Sequence, residues 1–571
     1  MLVRDFVVRF AGEGGQGVVT SAEALAQTST SAGFHALTFA TFPSQIMGGP
    51  TWTQVRISVE PVLSPGDDVD VLVAFNREAY DAHRGAVRDG GVVIYNSNEF
   101  QLEASPRVLG LAIDDLARST ANNRAANMVV VGALAYLVDM SKASLEKFVE
   151  QRFSRGRSTD AEIIRSNIMA INLGWEHISQ VGFALGELAP PEMPEDAQLM
   201  LKGNEAVALG ALAGGLEFYV GYPISPASAI LIYLERNLVG PEKFAYQVSS
   251  EIEAMTALLG GGFAGRKSMT ATSGPGISLM SEGLGLAWMA EIPCVVVDVQ
   301  RAGPATGLPT KTEQSDLMAC MYPAHGDVRL PIIAAGTVEE CFYGAVTALN
   351  WAERYQGPVI LLTEMTLAER VQNIPMPDLS KLEVTNRKVY QGANNYHRYA
   401  GQELSPMPIP GSPGAYVANG SEHDDMGDTT HLAEHHVEMT ERRFGKLKLL
   451  ETDTYERERP EESIALLPWG GSKGPALEAY HTLKEQGVSV AWYYTMFLNP
   501  LPPRLLEELR QKELVIVPEL NYQGQFASIL RSEGVRAVAI TQYTGLPFRV
   551  RDLVKQITDM ASTSRREMVR A

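Results

Sequence analysis

Long, unbroken apolar runs constrain the fold of this chain more than any other feature of its sequence. They read VDVLVAFN from Val69, IPCVVVDVQ from Ile292, PVILLTEM from Pro358 and ELVIVPEL from Glu513. Continuous hydrophobic strands of this kind are typical of parallel sheets that are covered on both faces. Because turns rich in glycine and proline separate the runs from helix-like segments, the pattern predicts an α/β fold.

The alternation of strand-like and helix-like segments occurs in three sections, which predicts three α/β domains. Several domains are expected for 571 residues, because a single hydrophobic core stops growing at roughly 250–300 residues. The stretch ELAPPEMPED is typical of a linker, and the proline-, glycine- and charge-rich region before residue 460 is typical of an extended connector with one helix near His431 to Phe444. The predicted segments are a first domain 1–187, a linker 188–200, a second domain 201–375, a connector 376–460 and a third domain 461–571.

Charge and cysteine usage exclude several functional classes. A formal net charge of −19 argues against nucleic-acid binding, which needs a basic surface, and against an anionic membrane surface. The three cysteines, Cys294, Cys320 and Cys341, contain no C-x-x-C pair, are too few to ligate an iron–sulfur cluster alone, and predict unpaired thiols in a reducing cytoplasm. No apolar run of about 18 residues predicts a membrane span, and the charged, glycine-flanked start of the chain favours a first strand over a signal peptide.

A glycine-rich loop near the start resembles a dinucleotide-binding turn but lacks part of that pattern. Gly12, Gly14 and Gly17 follow a strand-like run and precede a helix-like one. A nicotinamide or flavin site also needs an acidic residue about 20 positions later for the ribose, and no Asp or Glu occurs between Glu23 and Glu60. A classical dinucleotide site is therefore disfavoured. A second glycine-rich element, FPSQIMGGP, predicts a tight turn into a strand.

Three loops of the second section carry candidate site residues. The loop GYPISPAS follows an apolar run, and its prolines would fix Ser225 in place. Glu251 and Glu253 stand at a predicted helix start, where acids also serve as ordinary partners of the helix dipole. Arg301 ends an apolar strand, where a fixed guanidinium suits a carboxylate, although a surface arginine is the plainer interpretation.

Together these loops resemble the 2-oxoacid:ferredoxin oxidoreductase family. Its Y-P-I-T-P-S loop corresponds to YPISPA from Tyr222, its T-x-T-S-G-P-G to TATSGPG from Thr270, and its R-x-G-P-S-T-G-L-P-T to RAGPATGLPT from Arg301. Ser225 keeps the hydroxyl of the usual threonine, whereas alanines at 227 and 305 lose one. The resemblance implies a gamma-type domain, a thiamine diphosphate-binding pyrimidine-type domain and a transketolase C-terminal-like domain, in that order.

The resemblance also implies roles for individual residues. Glu251 would hydrogen-bond the aminopyrimidine ring of thiamine diphosphate and promote its ionisation. Arg301 would hold the carboxylate of a 2-oxoacid, while Ser225 and Thr310 would bond its oxygens. Tyr222 and Ser273 are further candidate cofactor contacts. The expected reaction converts a 2-oxoacid and coenzyme A to an acyl-CoA with reduction of ferredoxin, and the family also runs it in reverse.

The motifs that the chain lacks predict a partner. Thiamine diphosphate enzymes hold magnesium and diphosphate with a G-D-G motif, which is missing from this sequence. We therefore expect a beta-type subunit that supplies the Mg²⁺, the diphosphate contacts and a [4Fe-4S] cluster, in an assembly of two heterodimers. The fusion of a gamma section to an alpha section resembles two-subunit members of the family, many of which use 2-oxoglutarate, so this substrate is favoured. Lys311 is the candidate for binding its second carboxylate, and pyruvate is the competing substrate.

Alternative interpretations remain at this stage. A nicotinamide or flavin dehydrogenase would use the first glycine-rich loop, and a degenerate assembly subunit would lack catalysis. His431, His435 and His436 could suggest a metal site but are interpreted as hydrated connector charges. Glu519 and Asn521 are interpreted as packing or interface residues.

Overall fold

The fold was analysed in a computed structural model, which describes residues 2–43, 49–103, 105–191, 197–393, 395–401 and 404–570. The chain divides into two compact units. The first comprises Met1–Leu201 and Arg370–Met376, and the second comprises Lys202–Glu369 and Pro377–Ala571.

Strands and helices alternate along most of the chain. The strands are β1 Leu2–Val3, β2 Asp5–Glu13, β3 His35–Thr41, β4 Pro50–Ser58, β5 Val69–Ala74, β6 Val87–Asn96, β7 Val108–Leu111, β8 Glu187–Leu188, β9 Gln198–Lys202, β10 Phe218–Gly221, β11 Phe244–Gln247, β12 Ser268–Thr272, β13 Cys294–Gln300, β14 Ile332–Ala334, β15 Pro358–Glu364, β16 Val371–Pro375, β17 Glu456–Glu458, β18 Ile464–Leu466, β19 Ala491–Tyr494, β20 Phe497–Asn499, β21 Leu514–Glu519 and β22 Ala537–Thr541. The helices are α1 Val18–Ser31, α2 Arg77–His83, α3 Ile113–Ser119, α4 Ala126–Leu137, α5 Lys142–Phe153, α6 Asp160–Ser179, α7 Gly203–Ala213, α8 Ser228–Asn237, α9 Glu251–Phe263, α10 Gly274–Met289, α11 Leu317–Met321, α12 Val338–Tyr355, α13 Met365–Ala368, α14 Ala433–Gly445, α15 Lys473–Glu485, α16 Pro503–Arg510, α17 Gln525–Ser532 and α18 Val550–Arg570.

The first unit is built on an eight-stranded sheet in the order β7-β6-β5-β2-β4-β3-β16-β9. Its β7, β6, β5 and β2 are parallel, whereas the pairs from β2 to β16 are antiparallel. The sequence pattern predicts the parallel half, but of the antiparallel half it predicts only the strand after FPSQIMGGP, which is β4, because polar residues interrupt β3 and β4. Helices α4 and α6 pack closely, since a Cβ at Gly132 would lie 2.0 Å from the carbonyl oxygen of Ile171. The predicted turn at FPSQIMGGP includes residues 44–48, which lie outside the described residues.

The second unit contains two sheets. One runs in the order β11-β10-β12-β13-β15-β14-β20 and is parallel except for β20, and the other runs β17-β19-β18-β21-β22 and is parallel except for β17. Every residue of β13 and β15 is buried, as their continuous apolar sequences predict. The α/β class is therefore confirmed. The predicted domain boundaries stay a prediction.

A buried ion cluster fixes the connector to the second unit. Glu291, after α10, accepts hydrogen bonds from Arg442 Nε at 2.9 Å and Lys446 Nζ at 2.8 Å, and Arg398 Nη1 lies 3.9 Å away. All four side chains are buried. Although burial alone would raise it, the three cations hold the pKa of Glu291 far below its usual range. The connector is thus held in place by charge as well as by apolar contacts.

The histidines of the connector make local contacts. His435 Nδ1 lies 3.1 Å from Thr430 Oγ1, and His436 Nδ1 lies 2.5 Å from Glu422 Oε2. No group of three or more His, Cys, Asp or Glu side chains suited to a metal ion occurs among the described residues. Within the same part of the chain, no helix is both long and apolar enough to cross a membrane.

Candidate active site

The predicted site residues follow four neighbouring strands of the second unit. The strands β11, β10, β12 and β13 lie side by side and run parallel, so their carboxyl ends share one edge of the sheet. Ligands of open α/β sheets bind outside this edge. Glu251 lies four residues after the end of β11, Ser225 lies in the loop after β10, and Ser273 and Arg301 directly follow β12 and β13.

Helix α9 places two glutamates in contrasting environments. Ser250 caps the helix, because its Oγ accepts a hydrogen bond from the backbone N–H of Glu253 at 3.2 Å. Glu251 is buried. Glu253 is exposed, and its carboxylate accepts hydrogen bonds from Ser249 Oγ and the Ser249 N–H, which lower the pKa of Glu253. Only Glu251 is therefore enclosed by the protein.

The start of helix α10 packs against Glu251 and leaves buried hydroxyl groups. A Cβ at Gly276 would lie 2.9 Å from Glu251 Cγ and 1.9 Å from Thr272 Oγ1, so only glycine fits at this position. The hydroxyls of Thr272 and Ser273 are buried, and neither forms a hydrogen bond to another described residue. Buried hydroxyls usually have partners, so these two are suited to a bound polar ligand.

Arg301 is buried and connects two of the loops. Its Nη1 donates a 2.7 Å hydrogen bond to the carbonyl oxygen of Ser225, while its Nε is buried without a partner among the described residues. Burial lowers the pKa of Arg301, and the Asp316 carboxylate opposes that effect. Part of the guanidinium thus remains available for a carboxylate.

The other predicted residues lie around this edge with different exposure. Tyr222 and Ser225 are exposed, Ser273 is fully buried, and Thr310 and Lys311 are half-buried. The stem of Lys311 packs on Gly545, where an added Cβ would lie 2.8 Å from Lys311 Cβ. Burial lowers the pKa of Lys311.

The structure adds two acids to this region that the sequence does not single out, namely the buried Asp298 and the half-buried Asp316. Asp298, on β13, accepts a hydrogen bond from Cys320 Sγ at 3.5 Å. A Cβ at Gly274 would lie 2.7 Å from Asp316 Oδ2, so the Asp316 carboxylate lies against the start of α10. Burial raises the pKa of both aspartates, and their mutual repulsion adds to the effect at Asp298. The signal in the sequence was an acid inside the apolar run VVVDVQ.

Gln314, in the loop after Arg301, hydrogen-bonds to residues that follow strands β18 and β21. Its Nε2 donates to the carbonyl oxygen of Trp469 at 2.8 Å, and its Oε1 accepts from the N–H of Leu520 at 2.9 Å. Glu519, at the end of β21, accepts hydrogen bonds from Trp469 Nε1 and Asn521 Nδ2 and from two N–H groups at the start of α17. Glu519 and Asn521 therefore make packing contacts within this chain.

Two family models match the chain. One, described as pyruvate flavodoxin/ferredoxin oxidoreductase, thiamine diphosphate-binding, covers residues 209–442, which include every predicted site residue. The other, described as pyruvate ferredoxin/flavodoxin oxidoreductase, covers residues 7–177 of the first unit.

Relatives match over nearly the full chain. The 2-oxoglutarate oxidoreductase subunit KorA of Mycobacterium tuberculosis is 32% identical, over 96% of this chain and 90% of its own length. Subunit alpha of 2-oxoacid:ferredoxin oxidoreductase 2 of Aeropyrum pernix is 30% identical, over 97% and 98%. A structure of 2-oxoglutarate:ferredoxin oxidoreductase from Magnetococcus marinus, with 2-oxoglutarate, coenzyme A and succinyl-CoA bound, superposes with a TM-score of 0.91 at 35% identity, over 98% and 100% of the two chains. The chain therefore belongs to the 2-oxoacid:ferredoxin oxidoreductase family and is an oxidoreductase subunit with a thiamine diphosphate-binding domain.

Proposed function

We propose that this chain supplies the aminopyrimidine and substrate sides of a shared active site that oxidises 2-oxoglutarate. The observation that carries the proposal is the placement of a buried carboxylate, Glu251, and a buried guanidinium, Arg301, after strands β11 and β13, whose carboxyl ends lie at the same edge of one sheet. A carboxylate for the cofactor ring and a cation for the substrate are the two groups that this side of the reaction requires.

The residues around Glu251 fit the aminopyrimidine ring of thiamine diphosphate. When bound, the cofactor acts as an electron sink for the carbonyl carbon of the substrate. Glu251 would form a hydrogen bond with a ring nitrogen. Gly276 packs closely against the Glu251 side chain, which keeps water from competing for this hydrogen bond. The unpartnered hydroxyls of Thr272 and Ser273 offer hydrogen bonds to polar edges of the same ligand. Tyr222 is a further contact candidate at the exposed rim.

Arg301 binds the carboxylate that every 2-oxoacid carries. Its hydrogen bond to the Ser225 carbonyl holds the guanidinium against the loop after β10, so the planar fork is oriented before the substrate arrives. The hydroxyls of Ser225 and Thr310 then donate to the remaining substrate oxygens. When Asp316 is ionised, its negative charge favours the charged form of the Arg301 guanidinium.

Lys311 is proposed to select 2-oxoglutarate by binding its second carboxylate. Burying a second carboxylate without a cation would be costly. Lys311 directly follows the Arg301 loop, and its stem is held by Gly545. The names of the Mycobacterium tuberculosis and Magnetococcus marinus relatives, which both contain 2-oxoglutarate, support this substrate over pyruvate.

A partner subunit is proposed to complete the site. The sequence has no G-D-G motif for magnesium and diphosphate, and its three cysteines are all buried. We assign the Mg²⁺, the diphosphate contacts and a [4Fe-4S] cluster to a beta-type subunit, in an assembly of two heterodimers. Coenzyme A accepts the acyl group and ferredoxin accepts the electrons, in the cytoplasm.

Substitutions at Arg301 test the substrate site. In the co-expressed complex, we expect coenzyme A-dependent viologen reduction with 2-oxoglutarate to fall by about 100-fold in kcat/KM for Arg301→Ala, because losing a buried charge partner costs about 2–5 kcal/mol. Arg301→Lys keeps the charge but not the fork and should recover only part of the activity. An unchanged kcat/KM in both variants would refute this role.

Lys311→Ala tests the substrate assignment separately. The KM for 2-oxoglutarate should rise about tenfold or more, which corresponds to about 1.4 kcal/mol, while the KM for pyruvate stays constant. Lys243→Ala, an exposed lysine before β11, is the matched control and should leave both values unchanged. Equal effects on both 2-oxoacids would contradict selection by Lys311.

A further inference from the structure

A polar cavity in the first unit is lined by none of the predicted site residues. It has a volume of about 870 Å³ and opens between the segment 120–124, the loop that joins α5 to α6, and the first turns of α6. Four arginines line it, namely Arg124, Arg155, Arg157 and Arg165, together with only two carboxylates, Asp160 and Glu162. The excess of positive charge contrasts with the formal net charge of −19 for the whole chain.

The four guanidinium groups of this cavity are not neutralised by ion pairs. All four arginines are exposed, and none of their side chains forms an ion pair or hydrogen bond with another residue in the part of the chain that the structure describes. Here the cavity keeps its positive charge, which favours an anionic ligand.

Asp160 builds the cavity, although its carboxylate also interacts electrostatically with the Arg157 guanidinium. Its Oδ2 accepts hydrogen bonds from the N–H groups of Arg155 at 2.5 Å and Arg157 at 3.0 Å. These bonds, above all the one from Arg157, lower the pKa of Asp160. The carboxylate thus fixes the turn that presents both arginines.

The opposite wall is also held by side-chain contacts. Asn122 Nδ2 donates to Ser166 Oγ at 3.0 Å, and Asn122 Oδ1 accepts from the N–H of Arg124. This wall carries Arg124 and Arg165, while α6 points the positive end of its dipole at the cavity. Arginines therefore line both walls of one partly open cavity.

We propose that this cavity binds a phosphorylated small molecule that carries at least two negative charges. Arginine forks match phosphate oxygens in a bidentate manner and stay charged at every physiological pH. The volume of the cavity lies in the range of small-molecule sites. This favours a small ligand over an acidic protein, because a protein could dock on a flat surface. The phosphate groups belong either to coenzyme A or to a separate phosphorylated ligand.

Direct binding to the complete enzyme complex tests the proposal. Inorganic pyrophosphate and adenosine 3′,5′-bisphosphate are titrated calorimetrically into the wild type and into an Arg155→Gln/Arg157→Gln variant. Affinity for at least one probe should fall tenfold or more in the variant. An Arg77→Gln/Arg84→Gln variant removes the same charge from exposed residues outside the cavity and should match the wild type.

A second variant covers the case in which the first disturbs its loop. Arg124→Gln/Arg165→Gln leaves the Asp160 turn intact and should weaken binding by a similar factor at an unchanged melting temperature. A raised KM for coenzyme A in either variant would identify coenzyme A as the source of the phosphates, and an unchanged KM would identify a separate ligand.

Two results would overturn the proposal. One is the absence of binding of both probes by the wild type. If the cavity variants also bind ferredoxin more weakly in that case, the ligand of the cavity would be an acidic protein. The other is wild-type affinity for the probes in both cavity variants.

Discussion

Glu251 and Glu253 lie within one turn of helix α9, yet the fold buries the first and exposes the second. Their chemistry in isolation is the same, so the difference in burial decides which one can serve a cofactor. Glu251 contacts the glycine-rich start of α10, whereas the carboxylate of Glu253 accepts hydrogen bonds from Ser249. A matched pair of substitutions therefore separates a catalytic role from a helix-capping one.

Glu251→Gln should lower kcat by about 100- to 10,000-fold, because a proton-transferring carboxyl contributes a factor of that size. The measurement is viologen reduction with 2-oxoglutarate and coenzyme A in the complex. Glu253→Gln removes only an exposed carboxylate and should stay within about twofold of the wild type. Comparable losses in both variants would mean that the helix start, not Glu251, is responsible.

The buried Asp298 and the half-buried Asp316 predict a pH dependence of stability. Because the pKa of each is raised in the fold, protonation favours the folded state. This stabilisation is complete below about pH 4, the unfolded value, and is lost as the pH rises through the folded values. Relative to Asp316→Asn, the wild type should therefore lose stability as the pH rises.

The urea midpoints of the wild type and Asp316→Asn, measured between pH 4 and pH 8, check this prediction. Asp327→Asn, an exposed aspartate, is the control and should follow the wild type at each pH. A difference between the wild type and Asp316→Asn that is constant with pH, or that grows in favour of the wild type, would disprove it.

At the residue scale, the sequence predicts which side chains carry the chemistry better than it predicts which residues they contact. Spacing alone indicates two acids at a helix start, and the resemblance selects Glu251. Neither could reveal that Cys320 would hydrogen-bond Asp298 or that Asp316 would lie against Gly274, because each contact joins segments that are more than 20 positions apart in sequence.

Among the elements, the ion cluster around Glu291 stabilises the connector most directly. Glu291→Gln would leave three buried cations without their carboxylate, and breaking a buried pair costs about 3–5 kcal/mol. We expect a lower urea midpoint and faster proteolysis within 377–460. Glu441→Gln on the exposed side of α14 should change stability by less than about 0.5 kcal/mol. Equal midpoints for the two variants would show that the cluster contributes little.

The strands and helices predicted from the sequence differ in how strongly their patterns indicate them. Continuous apolar runs indicated β5, β13, β15 and β21, and the connector helix predicted at His431 to Phe444 is α14, Ala433–Gly445. Strand β3 was not predicted, and β4 was predicted only as the strand after the turn at FPSQIMGGP, because alternating polar residues weaken the signal of both strands. The pairing of β20 with β14 is also invisible in sequence, since β20 has only three residues and its partner lies more than 160 positions earlier.

At the scale of the whole molecule, we propose that the chain is one part of an enzyme. Its second unit carries the proposed residues for the cofactor ring and the substrate, while its sequence lacks the motif for magnesium and diphosphate. Family membership was predictable from three short motifs, because they are ordered and closely spaced. The arrangement of the partner was not predictable, since nothing in one sequence encodes another chain.

The most direct test of this central claim is to assay the purified chain alone and in complex with its co-expressed beta-type partner. We expect no 2-oxoacid-dependent reduction of viologen or ferredoxin by the chain alone. The complex should reduce either acceptor with 2-oxoglutarate, only when coenzyme A and thiamine diphosphate are present. Bound flavin, NAD-linked activity or full turnover in the isolated chain would contradict the account.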